Sequence, residues 1–241
     1  MQSKRLTAIK QLVPRCDLVL DIGTDHAMLP ILLIKENKAN FVIASDIARP
    51  PLVKAAKNVS KNSLDNFIDL RLGDGLQVLD NEMPSVIILA GMGGLKIIDI
   101  LSVRKKLWKG NSELVIQPQT EFFELRKYLI EQKYIFNDEL LVKESDKFYQ
   151  VMHLIPDYSL KNDKINRITT SYSVLELEYG PILLYKDTPE VIEYLQGELS
   201  KTKTILTNIN KSRQQVDKSK KVFMEKKLKG LLEVLNIESS H

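Results

Sequence analysis

The sequence predicts an α/β protein with a mostly parallel, seven-stranded sheet, helices on both faces and a C-terminal antiparallel helical coiled-coil pair. Short apolar runs alternate five times with segments of helical spacing, a pattern typical of parallel strands joined by crossover helices. Two more apolar runs follow with only Glu144, Ser145 and Asp146 between them, and so short a connection permits antiparallel pairing alone. In the last 60 residues, apolar side chains recur three and four residues apart, as in coiled coils.

The parallel strands are short and end abruptly, which suits burial between two layers of helices. We predict them over residues 18–23, 41–46, 68–72, 85–90 and 113–116, and the antiparallel hairpin over 134–143 and 147–155. Helical spacing predicts helices over 6–13, 27–35, 50–62 and 97–108. Pro14 ends the first helix, Pro30 fits a first turn, and Thr120 can cap a helix after the fifth strand.

An antiparallel end to a parallel sheet is typical of class I methyltransferases, whereas dehydrogenase Rossmann sheets continue with parallel crossovers. The sequence therefore predicts the class I methyltransferase Rossmann-like fold over residues 1–181 and the helical pair over 182–241, with a turn between 210 and 221. A single long helix is the alternative, because no glycine or proline interrupts that stretch. The apolar seams are Ile192, Leu195, Leu199, Thr202, Leu206 and Ile209, with Arg213 in phase, and then Met224, Leu228, Leu231 and Leu235.

The composition excludes several classes of protein. Cys16 is the only cysteine, which rules out an intrachain disulfide and a zinc site of several cysteines. The three histidines lie far apart in the sequence, so we expect no metal. No apolar run approaches the ~20 residues of a membrane-spanning helix, and the N-terminus lacks a signal-peptide pattern. We therefore expect a cytoplasmic protein without a membrane partner.

Positive charge is concentrated near the C-terminus. Residues 200–230 hold 10 Lys and Arg against 2 Asp and Glu, whereas residues 1–181 hold 24 against 23. A basic element of this kind is typical of a polyanion partner. The alternatives are that the lysines solubilise an exposed helix pair, or that the pair is a protein–protein coiled coil, including a dimer. We expect a monomer or a weak dimer.

Acids and glycines follow all five predicted parallel strands. Because the carboxyl ends of parallel strands meet at one edge of a sheet, these residues are expected to surround a ligand. Alone, each has a simpler explanation, since aspartates cap helices and glycines form turns. The segments are Asp21-Ile-Gly23-Thr-Asp25-His26, Asp46-Ile47, Gly73-Asp74-Gly75, Ala90-Gly91-Met92-Gly93-Gly94 and Gln117-Pro118.

The first strand is not followed by the G-x-G-x-x-G pattern that binds a pyrophosphate. A ligand without phosphates fits better, and S-adenosylmethionine is one, with a cationic sulfonium that nearby acids favour. Gly23 would let the backbone approach its methionine part. Asp46 is placed to bond both ribose hydroxyls, and Asp74 could accept from the adenine amino group.

Several motifs together resemble the bacterial tRNA adenine-N1 methyltransferases that modify adenine 22, the TrmK family. The run from Asp21 to Pro30 resembles the first motif of that family, and the C-terminal coiled-coil pair is similar too. Further matching segments, in order, are Gly73-Asp-Gly-Leu76, Ala90-Gly-Met-Gly-Gly94, Gln117-Pro118 and Lys147-Phe-Tyr149. Two positions depart from the family pattern: Met28 stands in place of a tyrosine, and Gln119 in place of an asparagine.

The resemblance implies methyl transfer from S-adenosylmethionine to N1 of adenine 22 in the D-arm of tRNA, leaving S-adenosylhomocysteine. Asp25 and His26 are the candidate catalytic residues. The candidate cofactor contacts are Asp21, Gly23, Asp25, Asp46, Ile47, Gly73, Asp74, Gly75, Ala90, Gly91 and Met92. The candidate RNA contacts are Met28, Met92, Gly93, Gly94, Gln117, Pro118 and Tyr149, with Lys201, Lys203, Lys211, Arg213, Lys218, Lys220 and Lys221 on the helical pair. The alternatives are a small-molecule or other RNA methyltransferase, or a non-catalytic RNA-binding protein that kept the fold.

Overall fold

The computed structural model describes residues 3–103, 105–157, 172–211 and 218–236. The chain forms two compact units, Met1–Ile168 and Thr169–His241. The functional division expected at residue 181 lies inside the second of these units and stays a prediction.

The first unit is built on a seven-stranded sheet with the order β3-β2-β1-β4-β5-β7-β6. Strands β1 to β5 pair in parallel, and β7 joins β5 and β6 by antiparallel pairing. The strands are β1 Cys16–Ile22, β2 Ala39–Asp46, β3 Ile68–Leu72, β4 Val86–Met92, β5 Glu113–Pro118, β6 Tyr134–Glu144 and β7 Lys147–Pro156. The predicted fold class and its antiparallel end are confirmed.

The centre of the sheet is covered on both faces. In β4 the four consecutive residues Val86 to Leu89 are at most 1% exposed. Because neighbouring side chains of a strand point to opposite faces, such continuous burial requires a layer on each side. This accounts for the unbroken apolar sequence of the strand.

Helices connect the parallel strands. They are α1 Lys4–Leu12, α2 Met28–Lys35, α3 Arg49–Lys61, α4 Gly94–Ser102, α5 Lys105–Trp108 and α6 Phe122–Glu131. The Ser3 hydroxyl accepts from the Leu6 N–H and caps α1, and Val13 leaves the helix in an extended conformation before Pro14. Pro30 lies in the first turn of α2, as predicted, because its missing N–H costs nothing there.

Two local predictions were wrong. The helix expected over 97–108 ends at Ser102, Val103 is extended, and α5 follows separately. The Trp108 ring is fully buried, and its indole N–H donates to the Val103 carbonyl at 3.3 Å. The break in the helix at Val103 makes this hydrogen bond possible. Thr120 does not cap α6: Glu121 occupies that position in a left-handed conformation, and the Thr120 hydroxyl bonds its carboxylate instead.

A buried polar network fixes the antiparallel hairpin to α6. The Arg126 guanidinium donates to Glu139 on β6 at 3.1 Å and to Gln150 on β7 at 2.7 Å. All three side chains are buried. Removing one partner of such a buried pair is strongly destabilising, because the other charge is left uncompensated.

The second unit is helical where the structure describes it. Its elements are α7 Val174–Tyr179, a 3-10 turn Leu183–Tyr185, α8 Pro189–Lys211 and α9 Lys218–Val234. Helices α8 and α9 contact each other, with Lys227 Nζ 3.7 Å from Glu198 Oε2. Residues 212–217, with Arg213, lie outside the described residues. A link of six residues between α8 and α9 reaches at most about 25 Å. In a parallel pair, the contact between Glu198 and Lys227 would put the ends that the link joins farther apart than that, so the two helices run antiparallel. The single-helix alternative is excluded.

The buried stripe of α8 differs from the predicted seam at its start. Val191 is buried, whereas Ile192 is exposed. Thr202 is buried as the spacing predicted, and its hydroxyl donates to the Glu198 carbonyl at 2.8 Å. This local bond satisfies the hydroxyl inside an otherwise apolar stripe.

Candidate active site

The strand order places a crevice between β1 and β4. From β1 the chain proceeds outward through β2 and β3, and then returns to add β4 and β5 on the other side. Ligands of open α/β sheets bind at such a switch point, beyond the carboxyl ends of the strands. A cavity of about 300 Å³ lies there. Its lining residues are Arg5, Leu6, Asp21, Gly23, Thr24, Asp25, Met28, Leu29, Ala90 and Gly91.

The loop after β1 is tied to the end of β2. The N–H groups of Gly23 and Thr24 both donate to the Ser45 carbonyl at 2.8 Å. Gly23 has φ +77°, and a Cβ at this position would lie 2.3 Å from Met92 Cε. A side chain is therefore excluded by the backbone and by Met92 together. The Met92 methyl group fills the space into which a Gly23 side chain would point, and the contact of Gly23 with a ligand stays a prediction.

Asp21 is a buried carboxylate at the carboxyl end of β1. Only 5% of its surface is exposed. The pKa of Asp21 is raised to about 6: burial is the largest cause, the Thr24 hydroxyl opposes it, and the nearby charge of Asp46 adds to it. A cationic ligand in this cavity would favour the ionised form.

Asp25 and His26 form a pair beside the cavity. His26 Nε2 lies 3.0 Å from Asp25 Oδ1, and both side chains are exposed to solvent, Asp25 far more than His26. The backbone holds them in a tight turn, with His26 and Ala27 at φ +59° and +54°. Asn58 Nδ2 on α3 donates to the His26 carbonyl at 2.9 Å and supports this turn. Asp25 lines the cavity, and His26 is its side-chain neighbour.

The ends of β2 and β3 carry the other predicted cofactor residues. Asp46 Oδ1 accepts from the Ala48 N–H at 2.7 Å, and Ile47 between them is highly exposed. The Gly73 N–H donates to the Asp46 carbonyl at 3.0 Å, which brings the loop after β3 beside Asp46.

Asp74 and Gly75 line a second cavity, of about 310 Å³, with Lys96 and Ile100 of α4. Asp74 Oδ1 lies 3.5 Å from Lys96 Nζ, so the expected adenine acceptor has a cationic neighbour. The structure thus brings Asp21, Gly23, Asp25, Ala90 and Gly91 to one cavity and Asp74 and Gly75 to another.

The end of β4 contains a β-bulge at Gly91. The pairing with β5 shifts between Ala90 and Met92, and Gly91 has φ +78°. A Cβ on Gly91 would lie 3.3 Å from Arg5 Nη1 and 3.8 Å from Gln119 Nε2. The bulge therefore leaves room for the Arg5 side chain at the cavity.

The glycines after the bulge pack against protein rather than open space. A Cβ on Gly94 would lie 2.6 Å from the Glu121 carbonyl oxygen, and one on Gly93 3.0 Å from Thr120 Oγ1. The close approach of the two loops explains both residues, and their contact with RNA stays a prediction.

Gln117 and Pro118 are buried, so neither presents side-chain surface to an RNA base in this conformation. The Gln117 amide donates to the Pro118 carbonyl at 2.7 Å and accepts from Arg5 Nη1 at 3.4 Å. Tyr149 is half-buried, with the Arg5 guanidinium 5.6 Å from its ring centroid.

Arg5 and Thr24 line the cavity although the sequence analysis did not select them. Thr24 lies within the motif from Asp21 to His26, in which the acids, the glycine and the histidine are the predicted site residues. Arg5 belongs to a helix that precedes β1, and nothing in the spacing connects it to the ends of β1 and β4. The one available signal was the Ser3 cap, which fixes where α1 begins.

Most of the predicted lysines on the helical pair are exposed. Lys203, Lys211, Lys218 and Lys220 project into solvent. Lys201 pairs with Glu198 at 2.8 Å, and Lys221 lies 3.9 Å from Glu225. Such neighbours reduce the local positive charge, so the first four are the stronger candidates for phosphate contacts.

Within the described residues, no group of His, Cys, Asp and Glu side chains is arranged to hold a metal ion. In the same part of the chain, no helix has the length and apolar character needed to cross a membrane.

Comparison with known proteins gives a consistent result. Residues 2–152 match the model of a methyltransferase domain family. The Bacillus subtilis tRNA (adenine(22)-N(1))-methyltransferase is 31% identical over 87% of this chain and 86% of its own. The crystal structure of B. subtilis TrmK, an m1A22 tRNA methyltransferase, has a TM-score of 0.83 at 29% identity and covers 98% of this chain and 99% of its own.

A Streptococcus pneumoniae protein in complex with S-adenosyl-L-methionine has a TM-score of 0.81 at 27% identity, covering 98% of this chain and 100% of its own. The fold, the motifs at the strand ends and the similarity to these proteins all point to a methyltransferase. The chain belongs to the family of tRNA (adenine(22)-N(1))-methyltransferases.

Proposed function

We propose that this protein transfers the methyl group of S-adenosylmethionine to N1 of adenine 22 in the D-arm of tRNA. The observation that carries the proposal is the acidic cavity at the switch point between β1 and β4, in a chain of this family. Because the substrate is tRNA, we also propose that the protein acts in the cytoplasm.

The residues present fit the cofactor. Asp21 and Asp25 line a cavity large enough for the amino-acid part of S-adenosylmethionine, which carries an ammonium and a sulfonium. The second carboxylate oxygen of Asp46 can accept from ribose hydroxyls, since Ala48 engages only Oδ1. When bound, S-adenosylmethionine supplies an electrophilic methyl group.

The chain's own residues position the base and stabilise charge. N1 lies on the pairing edge of adenine, so the nucleotide must be unpaired or flipped out to reach the cavity. Met28 is exposed and lines the cavity, where its flexible thioether can pack on a base. Since N1 has a lone pair, correct placement is the main catalytic contribution.

Asp25 stabilises the positive charge that develops on the methylated ring, because its carboxylate lines the cavity. His26, 3.0 Å from Asp25, orients that carboxylate and can accept the N6 proton. His26 is held in place by its left-handed backbone and by the bond from Asn58 to its carbonyl.

The second unit supplies affinity for the polyanion. Lys203, Lys211, Lys218 and Lys220 are exposed on α8 and α9 and would contact phosphates. Such contacts orient the tRNA without reading its sequence. Base selection is then left to the first unit.

The test is methyl transfer from labelled S-adenosylmethionine to an unmodified tRNA transcript, with the product nucleoside identified by mass spectrometry. We expect label in 1-methyladenosine and in no other nucleoside. Label in a different nucleoside would favour another RNA methyltransferase. Absence of transfer by a protein that still binds S-adenosylhomocysteine and tRNA would favour the non-catalytic RNA-binding alternative.

A further inference from the structure

Arg5 is a half-buried cation in the first turn of α1 that reaches the cavity between β1 and β4. The other charged side chains lining that cavity are Asp21 and Asp25. A positive group therefore stands at one side of a cavity whose remaining charge is negative.

The start of α1 is held in place by Glu144 at the end of β6. Glu144 accepts from the Ser3 hydroxyl at 3.0 Å and from the N–H groups of Lys4 and Arg5 at 3.3 Å. These bonds lower the pKa of the Glu144 carboxyl against the opposing effect of burial. An acid at the N-terminus of a helix also interacts favourably with the helix dipole. The backbone of Arg5 is thus fixed before any ligand binds.

The guanidinium of Arg5 has neutral partners. Nη1 donates to Gln117 Oε1 at 3.4 Å, and the group lies over the Tyr149 ring. Gln117 is itself buried and fixed by its bond to the Pro118 carbonyl. In the described part of the chain, no carboxylate forms an ion pair with this guanidinium, although the positive charge of Arg5 contributes to lowering the pKa of Glu144. Its remaining N–H groups can serve an anionic ligand.

Gly91 keeps this position open. Because of the bulge, the backbone of Gly91 lies where a Cβ would come within 3.3 Å of Arg5 Nη1. Glycine at position 91 therefore leaves space for the Arg5 guanidinium, although the two residues are far apart in the sequence.

The charge pattern matches the amino-acid end of S-adenosylmethionine. That end carries a carboxylate beside an ammonium and near the sulfonium, that is, one negative and two positive groups. The cavity offers one positive and two negative groups in Arg5, Asp21 and Asp25. An RNA phosphate would satisfy Arg5 but leave Asp21 without a cation.

We infer that Arg5 binds the carboxylate of the methionine part of S-adenosylmethionine. The inference rests on the proposed function, since it takes that molecule as the ligand. Arg5 acts as a binding residue: charge-assisted hydrogen bonds from a pre-fixed guanidinium fix the amino-acid end of the cofactor.

The test compares two ligands by isothermal titration calorimetry with the full-length protein. One is S-adenosylhomocysteine, and the other is its analogue without the carboxylate, 5′-(3-aminopropylthio)-5′-deoxyadenosine. We expect Arg5→Gln to raise the Kd for S-adenosylhomocysteine by about tenfold or more, while the Kd for the analogue changes less than about twofold. Arg5→Lys, which keeps the charge but loses the planar fork, should fall between wild type and Arg5→Gln.

Lys4→Gln is the matched control, because it removes an exposed charge one residue away. It should bind both ligands like wild type. Equal weakening of both ligands by Arg5→Gln would show that Arg5 only shapes the cavity, and no weakening of either would exclude contact with the carboxylate. If wild type bound neither ligand, the proposed function itself would fail.

Discussion

At the scale of single residues, the carboxylates after β1 and β2 differ in burial and therefore in chemistry. Asp21 is enclosed and its pKa is raised to about 6, whereas Asp46 stands beside the highly exposed Ile47. Both were selected from the sequence because strand-end acids converge at one edge of a parallel sheet. Their separate environments could not be predicted, since these depend on how closely the neighbouring loops pack.

Asp46→Ala should weaken binding of S-adenosylhomocysteine by roughly 1–3 kcal/mol, because charge-assisted hydrogen bonds to the ribose are lost. Calorimetry on the folded variant measures this. Asp65→Ala removes an exposed carboxylate that accepts from the Ser60 hydroxyl and should leave the affinity unchanged. Equal affinities of wild type and Asp46→Ala would refute the ribose assignment.

Asp21 makes stability depend on pH. Its folded-state pKa of about 6 lies above the ordinary value of 3.8, so the folded protein binds the extra proton. The stabilisation is complete below pH ~4 and is lost as the pH rises through about 6. Between pH 4 and pH 7, wild type should therefore lose roughly 1–3 kcal/mol of unfolding free energy through Asp21. Asp21→Asn should not show this loss.

Urea denaturation at both pH values measures the difference. Asp17→Asn, an exposed site at the opposite end of the same strand, should follow wild type. A wild-type curve with the same pH dependence as Asp21→Asn would contradict the raised pKa.

Arg5 marks the limit of residue-level prediction. The apolar spacing was enough to predict α1, but the position of α1 depends on Glu144, about 140 residues later in the chain. A contact of that kind leaves no periodic pattern in the sequence. Gln117 illustrates the reverse: its position at a strand end predicts an RNA contact, whereas the structure buries its side chain, and its amide oxygen accepts from Arg5.

At the scale of elements, the strands followed from apolar runs, and the irregular segments did not. Tertiary contacts accompany both the break at Val103, where the buried Trp108 indole donates to the Val103 carbonyl, and the left-handed Glu121, whose carbonyl packs against Gly94. The same holds for the bulge at Gly91, where the sequence shows a glycine but not the shift in pairing. Gly91 and Val103 line the two cavities, so local patterns lose predictive power near the site.

Gly91→Ala tests the bulge against a matched position. Gly91 and Gly110 have nearly the same backbone, at φ +78° and +77°, but a Cβ on Gly110 would meet nothing within 4 Å. Both variants should lose about 1–2 kcal/mol of stability through left-handed strain. Only Gly91→Ala should also weaken S-adenosylhomocysteine binding, because its methyl group presses on Arg5. Equal ligand affinities of the two variants would contradict the proposed fit.

At the scale of the whole molecule, we propose separate tasks for the two units. The two apolar seams predicted α8 and α9. The excess of positive charge near the C-terminus predicted a polyanion partner for them. The first unit would carry the chemistry. Its fold could be predicted from the alternation of strands and helices, because each helix packs on the sheet and buries the neighbouring strands.

Lys203→Gln with Lys211→Gln should weaken tRNA binding and lower the salt dependence of log Kd by roughly one to two units. Fluorescence anisotropy at several salt concentrations measures this. Lys54→Gln with Lys57→Gln removes the same charge from the exposed face of α3 and should have a smaller effect. Salt slopes that are identical in all three proteins would show that the helical pair does not contact the RNA.

The central claim is most directly tested by mapping the methylated position. Primer extension on treated tRNA reports it, because a methyl group on N1 blocks base pairing and stops reverse transcriptase. We expect a stop at adenine 22 that depends on S-adenosylmethionine and disappears when adenine 22 alone is replaced by guanine. A stop at another adenine, or one that survives the replacement, would contradict it.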